Sequence, residues 1–337
     1  MGSVCLFSSD VSSYLGENKW SVIPSFERLL KKLDPERYET ALCALDKKRV
    51  NLQEQSQVLD IKLEKNEITE EQHIKEQAKV TIEMKKTEER HAKVTKTKET
   101  YITEKLGEKS KEIMDSNVSN MIKKRELNKL IDAEVPKDQQ DILKQDIQTF
   151  VNTVHGTKTE DYTLATYESD NGVVLDKSQK FYKRDIFEVN GVRFKVGGKM
   201  DGIDHTKKCV VEIKNRTRGL FYELRDYENT QIMIYMYLLD YPSAKLVEMY
   251  KTKRTVKKNC IDIEYNQGYI DSMKVRLESF CKRVMDYLCG ANLVEYLLKS
   301  DNEKDVLIWG LIDGDTSGEI IGGDESMCLI DSDSDNY

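Results

Sequence analysis

A chain of 337 residues with 39% hydrophobic residues can form one large or two moderate folded domains. No run of about 18 apolar residues occurs, which excludes a membrane-spanning helix. The N-terminus has no secretory pattern, so we expect a soluble, intracellular protein. The net charge of −7 arises from residues 305–337, which hold nine acidic residues and no Lys or Arg. The rest of the chain is slightly basic, so net charge does not exclude a nucleic-acid partner.

Residues 1–45 carry short helical signals. Ser8, Ser9 and Asp10 precede VSSYL and have side chains that favour a helix N-cap. Further on, IPSFERLLKKL repeats its apolar residues at helical spacing. This predicts an amphipathic helix with the following residues on one face: Phe26, Leu29, Leu30 and Leu33.

Residues 46–130 are dominated by charge, with 20 basic and 17 acidic side chains. No Gly or Pro interrupts residues 36–106, and apolar residues are sparse. The pattern predicts long helices with solvated faces, with a hairpin as one arrangement. Because no heptad repeat is sustained, a strong coiled coil is not expected. We interpret this region as a charged helical insertion.

Residues 131–304 have the texture of a globular α/β (α+β) domain. Residues 138–154 predict an amphipathic helix, and a hairpin with Asn190-Gly191 at its turn follows. The order of elements from there is β-β-β-α-β-β-α, which predicts a mixed sheet with helices packed on it. Residues 305–337 form an acidic tail, and the part after Trp309 is rich in Gly, Asp and Ser, which is typical of disorder.

The strongest chemical signal is GGKMDGID followed, after a short gap, by EIK. Glu212 and Lys214 are separated by one residue on a predicted strand, so both side chains point to the same face. Asp201 is expected at the end of the preceding hairpin strand, and the carbonyl of Ile213 is a further oxygen ligand. Mg²⁺ or Mn²⁺ favours such oxygen ligands, and phosphodiester hydrolysis needs a cation to activate water and neutralise charge. Lys214 would orient that water or stabilise the charge that develops.

A surface interpretation of the same segment is about equally strong, because Glu-x-Lys pairs and Asp-Gly turns are common on solvated strands. Charges within an apolar, central strand are costly unless they serve a purpose, which favours a site. Two other segments add to it. GTKTE places Glu160 near the start of a predicted helix after a Gly-Thr turn, and Gln231 and Tyr235 lie four residues apart on one helical face.

These motifs, in this order, resemble the YqaJ-like viral recombinase and lambda-type exonuclease branch of the PD-(D/E)XK nucleases. The resemblance covers SSDVSSYLGENKW (8–20), GTKTE (156–160), GGKMDG (197–202), EIK (212–214) and the helix that carries Gln231. Each motif is short, and the ordered set gives the specificity. The resemblance implies a restriction-endonuclease-like core with a mixed central sheet flanked by helices.

The resemblance also implies an activity and site roles. Members digest linear duplex DNA from 5′ ends, depend on Mg²⁺ or Mn²⁺, and often work with a single-strand annealing protein. Ser9 of the opening motif is expected to contact DNA. The other implied roles are metal binding by Asp201, Glu212 and the Ile213 carbonyl, catalysis by Lys214, support of a second metal or the water by Glu160, and positioning by Gln231.

The sequence departs from compact members in two places. Residues 46–130 resemble an insertion, and MGSVCLF lacks the basic residue that helps to hold a terminal phosphate. A preference for phosphorylated ends is therefore open. No cysteine cluster occurs, and His155 lies five residues before Glu160, which favours the exonuclease branch over RecB-like and CRISPR-associated nucleases.

Cationic residues in two segments are candidate phosphate contacts. Arg216 and Arg218 follow the catalytic strand directly, and Lys251, Lys253 and Arg254 belong to a basic turn between two strands. For the basic turn, a solvated loop is an equally strong interpretation. The sequence leaves open whether the insertion clamps DNA, forms a homo-oligomer or binds another partner.

Three functions follow as hypotheses. The first is an exonuclease on linear double-stranded DNA in viral or phage recombination, repair or genome processing, with a host cytoplasmic or nuclear location if viral. The second is a structure-specific or RNA-directed endonuclease of the same fold. The third is a non-catalytic helical scaffold, against which the retention of Asp201, Glu212 and Lys214 argues.

Overall fold

The computed structural model describes residues 2–116, 118, 120–252 and 254–314. The N-terminal part is not purely helical, because it opens with a strand that the sequence did not predict. Its elements are β1 (Ser3–Phe7), α1 (Ser8–Tyr14), a 3₁₀ turn (Lys19–Ser21) and α2 (Val22–Leu33). In α2, Phe26, Leu29 and Leu30 are fully buried, which confirms the predicted helical face.

The expected N-cap at residues 8–10 is wrong. The N-cap of α1 is Phe7, and no side chain caps the helix. Asp10 is buried in the first turn and instead accepts hydrogen bonds from Ser25 Oγ at 3.1 Å and Arg28 Nε at 3.0 Å. This pairing fastens α1 to α2.

The charged insertion is helical, as predicted. Its helices are α3 (Pro35–Glu64), α4 (Glu70–Thr95), α5 (Lys98–Leu106), α6 (Glu108–Asp115) and α7 (Asn120–Glu134). The cross-contacts Lys48–Glu83 and Asp60–His73 show that α3 and α4 run antiparallel as a hairpin. The later helices bury a small core of their own, which includes Ile102, Leu106, Leu127 and Ile131.

One continuous helix, α8 (Lys137–Asn171), joins this insertion to the rest of the domain. The predicted turn at Gly156-Thr157 is wrong, because a glycine inside a helix costs only about 1 kcal/mol and packing at both ends outweighs it. Ile147 and Val151 pack into the core of the insertion. Leu164 and Tyr167 pack against the sheet at the other end.

Two mixed sheets follow, in place of the one central sheet that was expected. Their strands are β2 (Tyr182–Val189), β3 (Val192–Gly198), β4 (Gly202–Asp204), β5 (Cys209–Arg216), β6 (Ser243–Lys251) and β7 (Val256–Glu264). The orders are β1-β3-β2 and β4-β5-β6-β7. The β1–β3 and β5–β6 pairs are parallel, and the other pairs are antiparallel. Asn190 and Gly191 both have positive φ, as a tight hairpin turn requires.

Helices cover the sheets, so the mixed α/β class is confirmed. They are α9 (Asp226–Leu239), α10 (Gln267–Gly290), α11 (Leu293–Leu298) and α12 (Asp301–Asp313). α9 contacts β3 of one sheet and β5 of the other, so it bridges them. The main core lies between these helices, α1, α2 and the sheets.

The prediction of a disordered tail after Trp309 is wrong as far as residue 313. α12 extends past Trp309 and buries Ile308 and Leu311, so this stretch is helical and packed. The remainder of the expected disordered tail, residues 315–337, lies outside the described residues. None of the described helices is both long and apolar enough to cross a membrane.

Candidate active site

The site is built around β5, which lies between β4 and β6 in its sheet. Val210, Val211 and Ile213 are buried, as the apolar pattern of the strand requires. Glu212 and Lys214 share one face of the strand because side chains alternate. Glu212 is only 2% exposed. Its Oε1 accepts a hydrogen bond from Lys214 Nζ at 2.7 Å.

Asp201 reaches the same place from the short connection between β3 and β4. Its Oδ2 accepts a hydrogen bond from the backbone N–H of Ile213 at 2.8 Å. The expectation that Asp201 ends the hairpin strand needs a small correction, because β3 ends at Gly198. The intervening turn allows the carboxylate to fold back over β5.

Gly198 explains how the opening segment is tied to this turn. A Cβ atom at Gly198 would lie 2.7 Å from the Tyr235 ring and would also collide with the Ser8 hydroxyl. Only glycine therefore fits where α1, β3 and α9 meet. The first and third motifs thus belong to one packed unit.

Gln231 links α9 to the lysine. Its Oε1 lies 3.5 Å from Lys214 Nζ, and its Nε2 donates to the Tyr235 hydroxyl at 2.7 Å. The amide is held by the tyrosine and contacts the ammonium group through its oxygen. Tyr235 is a buried core aromatic as well as the anchor of this contact.

Glu160 comes from the interior of α8 and not from a helix start. It lines a cavity of about 280 Å³ together with Asp201, Glu212, Ile213 and Lys214. Its Oε1 lies 3.4 Å from Gln179 Nε2. The structure therefore brings together five of the residues predicted for catalysis or metal binding around one cavity, with Gln231 in contact with Lys214.

Burial and mutual repulsion make the carboxyl groups poor acids. Burial and the neighbouring Asp201 charge raise the pKa of Glu212 from 4.5 to about 8. Burial likewise raises the pKa of Asp201, and burial with the Glu212 charge raises that of Glu160. Burial lowers the pKa of Lys214, but the adjacent Glu212 and Asp201 charges outweigh it and the net shift is upward. If all three carboxyl groups were ionised, the cluster would hold more negative charge than Lys214 balances, which is one reason why they retain their protons more strongly.

The arrangement fits a divalent cation. Glu212 Oε2 is buried and makes no hydrogen bond within the part of the chain that the structure describes. Among the described residues, no three His, Cys, Asp or Glu side chains form a complete ligand set by themselves. Mg²⁺ does not need one, because it keeps several waters and is usually bound by only one or two carboxylates. Asp201 and Glu212, completed by a carbonyl oxygen of Ile213 and by water, are of that type.

Arg216, which was predicted to contact DNA, lies in a network of ion pairs. Its side chain is 10% exposed and pairs with Glu228 at 2.9 Å and with Glu248 at 2.7 Å. Both carboxylates are essentially inaccessible to water. The guanidinium lines the cavity while it is paired with both carboxylates, so a phosphate would have to compete with them for it.

The other predicted DNA contacts are scattered around the site. Arg218 is exposed just beyond β5, and Ser9 is exposed on α1. Lys251 and Arg254 are exposed at the β6–β7 turn, where Lys251 Nζ lies 3.7 Å from the Tyr162 ring centroid. Because β5 and β6 are parallel, this turn and Arg218 lie at the same edge of the sheet. Lys253 lies outside the described residues.

Sequence reasoning missed two residues that complete the surroundings. Asn215 holds α8 against β5, because its Oδ1 accepts from Thr163 Oγ1 at 2.6 Å and its Nδ2 donates to the Gly156 carbonyl at 3.3 Å. Lys124 of α7 donates to Asn152 Oδ1 at 2.9 Å, and burial and the Arg218 charge lower its pKa. Only the position of Asn215 next to EIK was a signal; Lys124 had none within its charged segment.

Comparison with known proteins gives matches among solved structures only; no family model and no curated protein matches. A phage-related exonuclease from Haemophilus somnus 129PT has 13% identity and a TM-score of 0.31, over 41% of this chain and 73% of that chain. An alkaline exonuclease from Laribacter hongkongensis has 15% identity and a TM-score of 0.33, over 59% and 95%. These neighbours are of the class that the five motifs resemble. At such identities and scores, the likeness does not by itself assign a family or an activity to this chain.

Proposed function

We propose that this chain is a metal-dependent nuclease whose active centre is the Asp201, Glu212 and Lys214 cluster. The observation that carries the proposal is the buried Glu212 Oε2, which has no hydrogen-bond partner among the described residues and belongs to a carboxyl group that lines a cavity with Asp201 and Glu160. A buried carboxylate oxygen without a partner is costly, and a bound cation removes that cost. A scaffold that had lost activity would have no need to keep it.

Each side chain then has a task. Asp201, Glu212 and the Ile213 carbonyl would hold Mg²⁺ or Mn²⁺, which, when bound, supplies a water of lowered pKa and neutralises phosphate charge. Lys214 lies beside Glu212 and would orient the attacking water or stabilise the charge that develops on the phosphate. Gln231 would position Lys214, and Glu160 would hold a water or a second cation.

The substrate we propose is linear double-stranded DNA, digested from its 5′ ends. The motif resemblance supports this polarity. The exposed cations Arg218, Lys251 and Arg254 at one edge of the sheet support a polyanionic substrate. A role in viral or phage recombination, or work with a single-strand annealing protein, extends the same proposal.

The test is a digestion of end-labelled linear duplex and of covalently closed circular duplex, with Mg²⁺ and with EDTA. We expect Mg²⁺-dependent loss of the 5′ label from linear DNA and an intact circle. Cleavage of the circle would instead establish the endonuclease alternative. No cleavage of either DNA, or of single-stranded RNA, by the folded protein would refute the nuclease proposal.

A further inference from the structure

An exposed aromatic pair, Phe221 and Tyr222, lies in the loop between β5 and α9. The Tyr222 side chain is the more open of the two, since the residue is 64% exposed. Within the described part of the chain, its ring and hydroxyl have no hydrogen-bonding, aromatic or cationic partner. Large aromatic side chains left open to water are a common mark of a contact surface.

The backbone under this pair is held firmly. The N–H groups of Phe221 and Tyr222 donate to the Glu248 carboxylate at 3.3 Å and 3.0 Å. Glu248 is fully buried and also pairs with Arg216. The Phe221 ring lies against the Arg216 and Arg225 guanidinium groups, at 4.0 Å and 4.8 Å from its centroid. The loop is thus built onto the cavity wall through Arg216, which lines the cavity.

Tyr222 also has an unfavourable backbone conformation. Its φ is +59°, in the left-handed region that bulky residues seldom adopt. Glycine or asparagine would occupy this position with less strain. A strained residue that is held in place by a buried carboxylate, and whose side chain is nevertheless largely exposed, suggests a role for the side chain itself.

We propose that Tyr222 stacks on a base of the nucleic acid whose phosphate occupies the catalytic cavity. This inference rests on the proposed nuclease function and adds a base-binding subsite to it. Proteins that hold single-stranded or frayed nucleic acid combine stacking aromatics with cations along the backbone path. Here Tyr222 offers the open ring, and the exposed Arg218 precedes it in the same loop. Because stacking needs an unpaired or terminal base, the occupant is a frayed end or a single strand.

The test compares Tyr222→Phe, Tyr222→Leu and Tyr222→Gly with the wild type. Stacking is worth a factor of about 10 or more in affinity per base, so Leu and Gly should raise KM about 10-fold with kcat within about 2-fold. Phe keeps the ring and should match the wild type. A 2-aminopurine base at the DNA end should be quenched on binding, without added metal, by the wild type and by Tyr222→Phe only. Val275→Ala, at an exposed apolar position on α10, is the distant control.

Thermal unfolding separates a binding role from a structural one. Because glycine relieves the positive φ, Tyr222→Gly should raise the melting temperature while it weakens binding. A lower melting temperature, or wild-type KM and quenching in Tyr222→Leu, would overturn the stacking inference. If the wild type cleaves nucleic acid and Tyr222→Leu is unaffected, only the subsite fails. If the wild type itself does not cleave, the nuclease proposal fails first.

Discussion

Two clusters of buried charge lie side by side on one face of β5, and they differ in how fully their charges are matched. Glu212 and Lys214 share one hydrogen bond, and the other Glu212 oxygen has no hydrogen-bond partner in the described ranges of the chain. One step along the strand, Arg216 is held by two carboxylates. Of these two, Glu248 accepts further hydrogen bonds from Asn259 and from two backbone N–H groups.

We interpret this difference in hydrogen bonding as the difference between a ligand-binding site, at Glu212 and Lys214, and a structural ion-pair network, at Arg216. A buried ion pair with every oxygen satisfied stabilises one arrangement of the chain and has no capacity left for a ligand. A buried carboxylate with a free oxygen, beside a cavity, has unused capacity. On the proposed function, similar sequence signals on one strand would therefore serve a catalytic site at Glu212 and Lys214 and a structural ion pair at Arg216. Four substitutions test this distinction.

The largest effect is expected at Lys214. Lys214→Met should reduce Mg²⁺-dependent cleavage by about 10²- to 10⁴-fold, because it removes the ammonium group that contacts Glu212. Single-turnover rates on linear duplex measure the change. Lys245→Met is the matched control, since Lys245 pairs with the exposed Asp262 on the adjacent strands. Equal rates for Lys214→Met and this control would contradict the site.

Arg216→Met should act on stability. It leaves Glu228 and Glu248 buried without their cation, which should lower the free energy of unfolding by about 3–5 kcal/mol. Lys245→Met should change it by less than about 1 kcal/mol. Urea denaturation at neutral pH measures both. A loss at Arg216 no larger than at Lys245 would show that the buried network is not the support we describe.

Glu212→Gln should raise the free energy of unfolding of the metal-free protein, whereas Arg216→Met should lower it. The pKa of Glu212 is raised to about 8 in the fold, so the folded state holds a proton that the unfolded state loses near 4.5. Stability is therefore fully present below about 4.5 and is lost as pH rises through about 8. Glu212→Gln should remove this loss and stabilise the protein at pH 9, on the order of a few kcal/mol.

Melting temperatures in EDTA at pH 6 and pH 9 measure that effect as the difference between wild type and Glu212→Gln. Added Mg²⁺ should stabilise the wild type more at pH 9 than at pH 6, because the cation competes with the proton. It should stabilise Glu212→Gln much less. A difference between the two proteins that does not depend on pH would break the assignment of Glu212.

The smallest effect is expected at Lys124. If it contributes with Arg218 to phosphate binding, Lys124→Ala should raise KM a few-fold and lower the salt dependence of binding by about one unit of slope. Lys129→Ala on the same helix is the matched control, because Lys129 pairs with Glu126 on the surface. The same salt slope in both variants would limit the insertion to other roles.

The sequence could predict what depends on neighbours in the chain. Strand alternation placed Glu212 and Lys214 on one face, and an Asn-Gly pair located the β2–β3 turn. The absence of Gly and Pro identified the long helices. It could not predict that Arg216 is neutralised, since its partners stand on α9 and β6 and only folding brings them to it.

Tertiary packing also decided the helix ends that were predicted wrongly. Gly156 and its neighbours read as a turn, yet contacts at both ends keep α8 continuous. The Gly- and Asp-rich composition after Trp309 concealed the last turn of α12, which Leu311 stabilises by burial. β1 pairs with β3 in a register that joins Val4 to Phe194, which is more than half of the chain away, so no local pattern marks β1 as a strand.

Because α8 is one continuous helix, it connects the inserted helical bundle directly to the cavity. Val151 is embedded in the bundle and Glu160 lines the cavity, about 13 Å apart along a helix that rises about 1.5 Å per residue. A continuous helix transmits a tilt or a translation of one end to the other. We therefore expect a displacement of the bundle to move the Glu160 carboxylate relative to β5. On the proposed function, the position of the bundle would then influence the catalytic cavity.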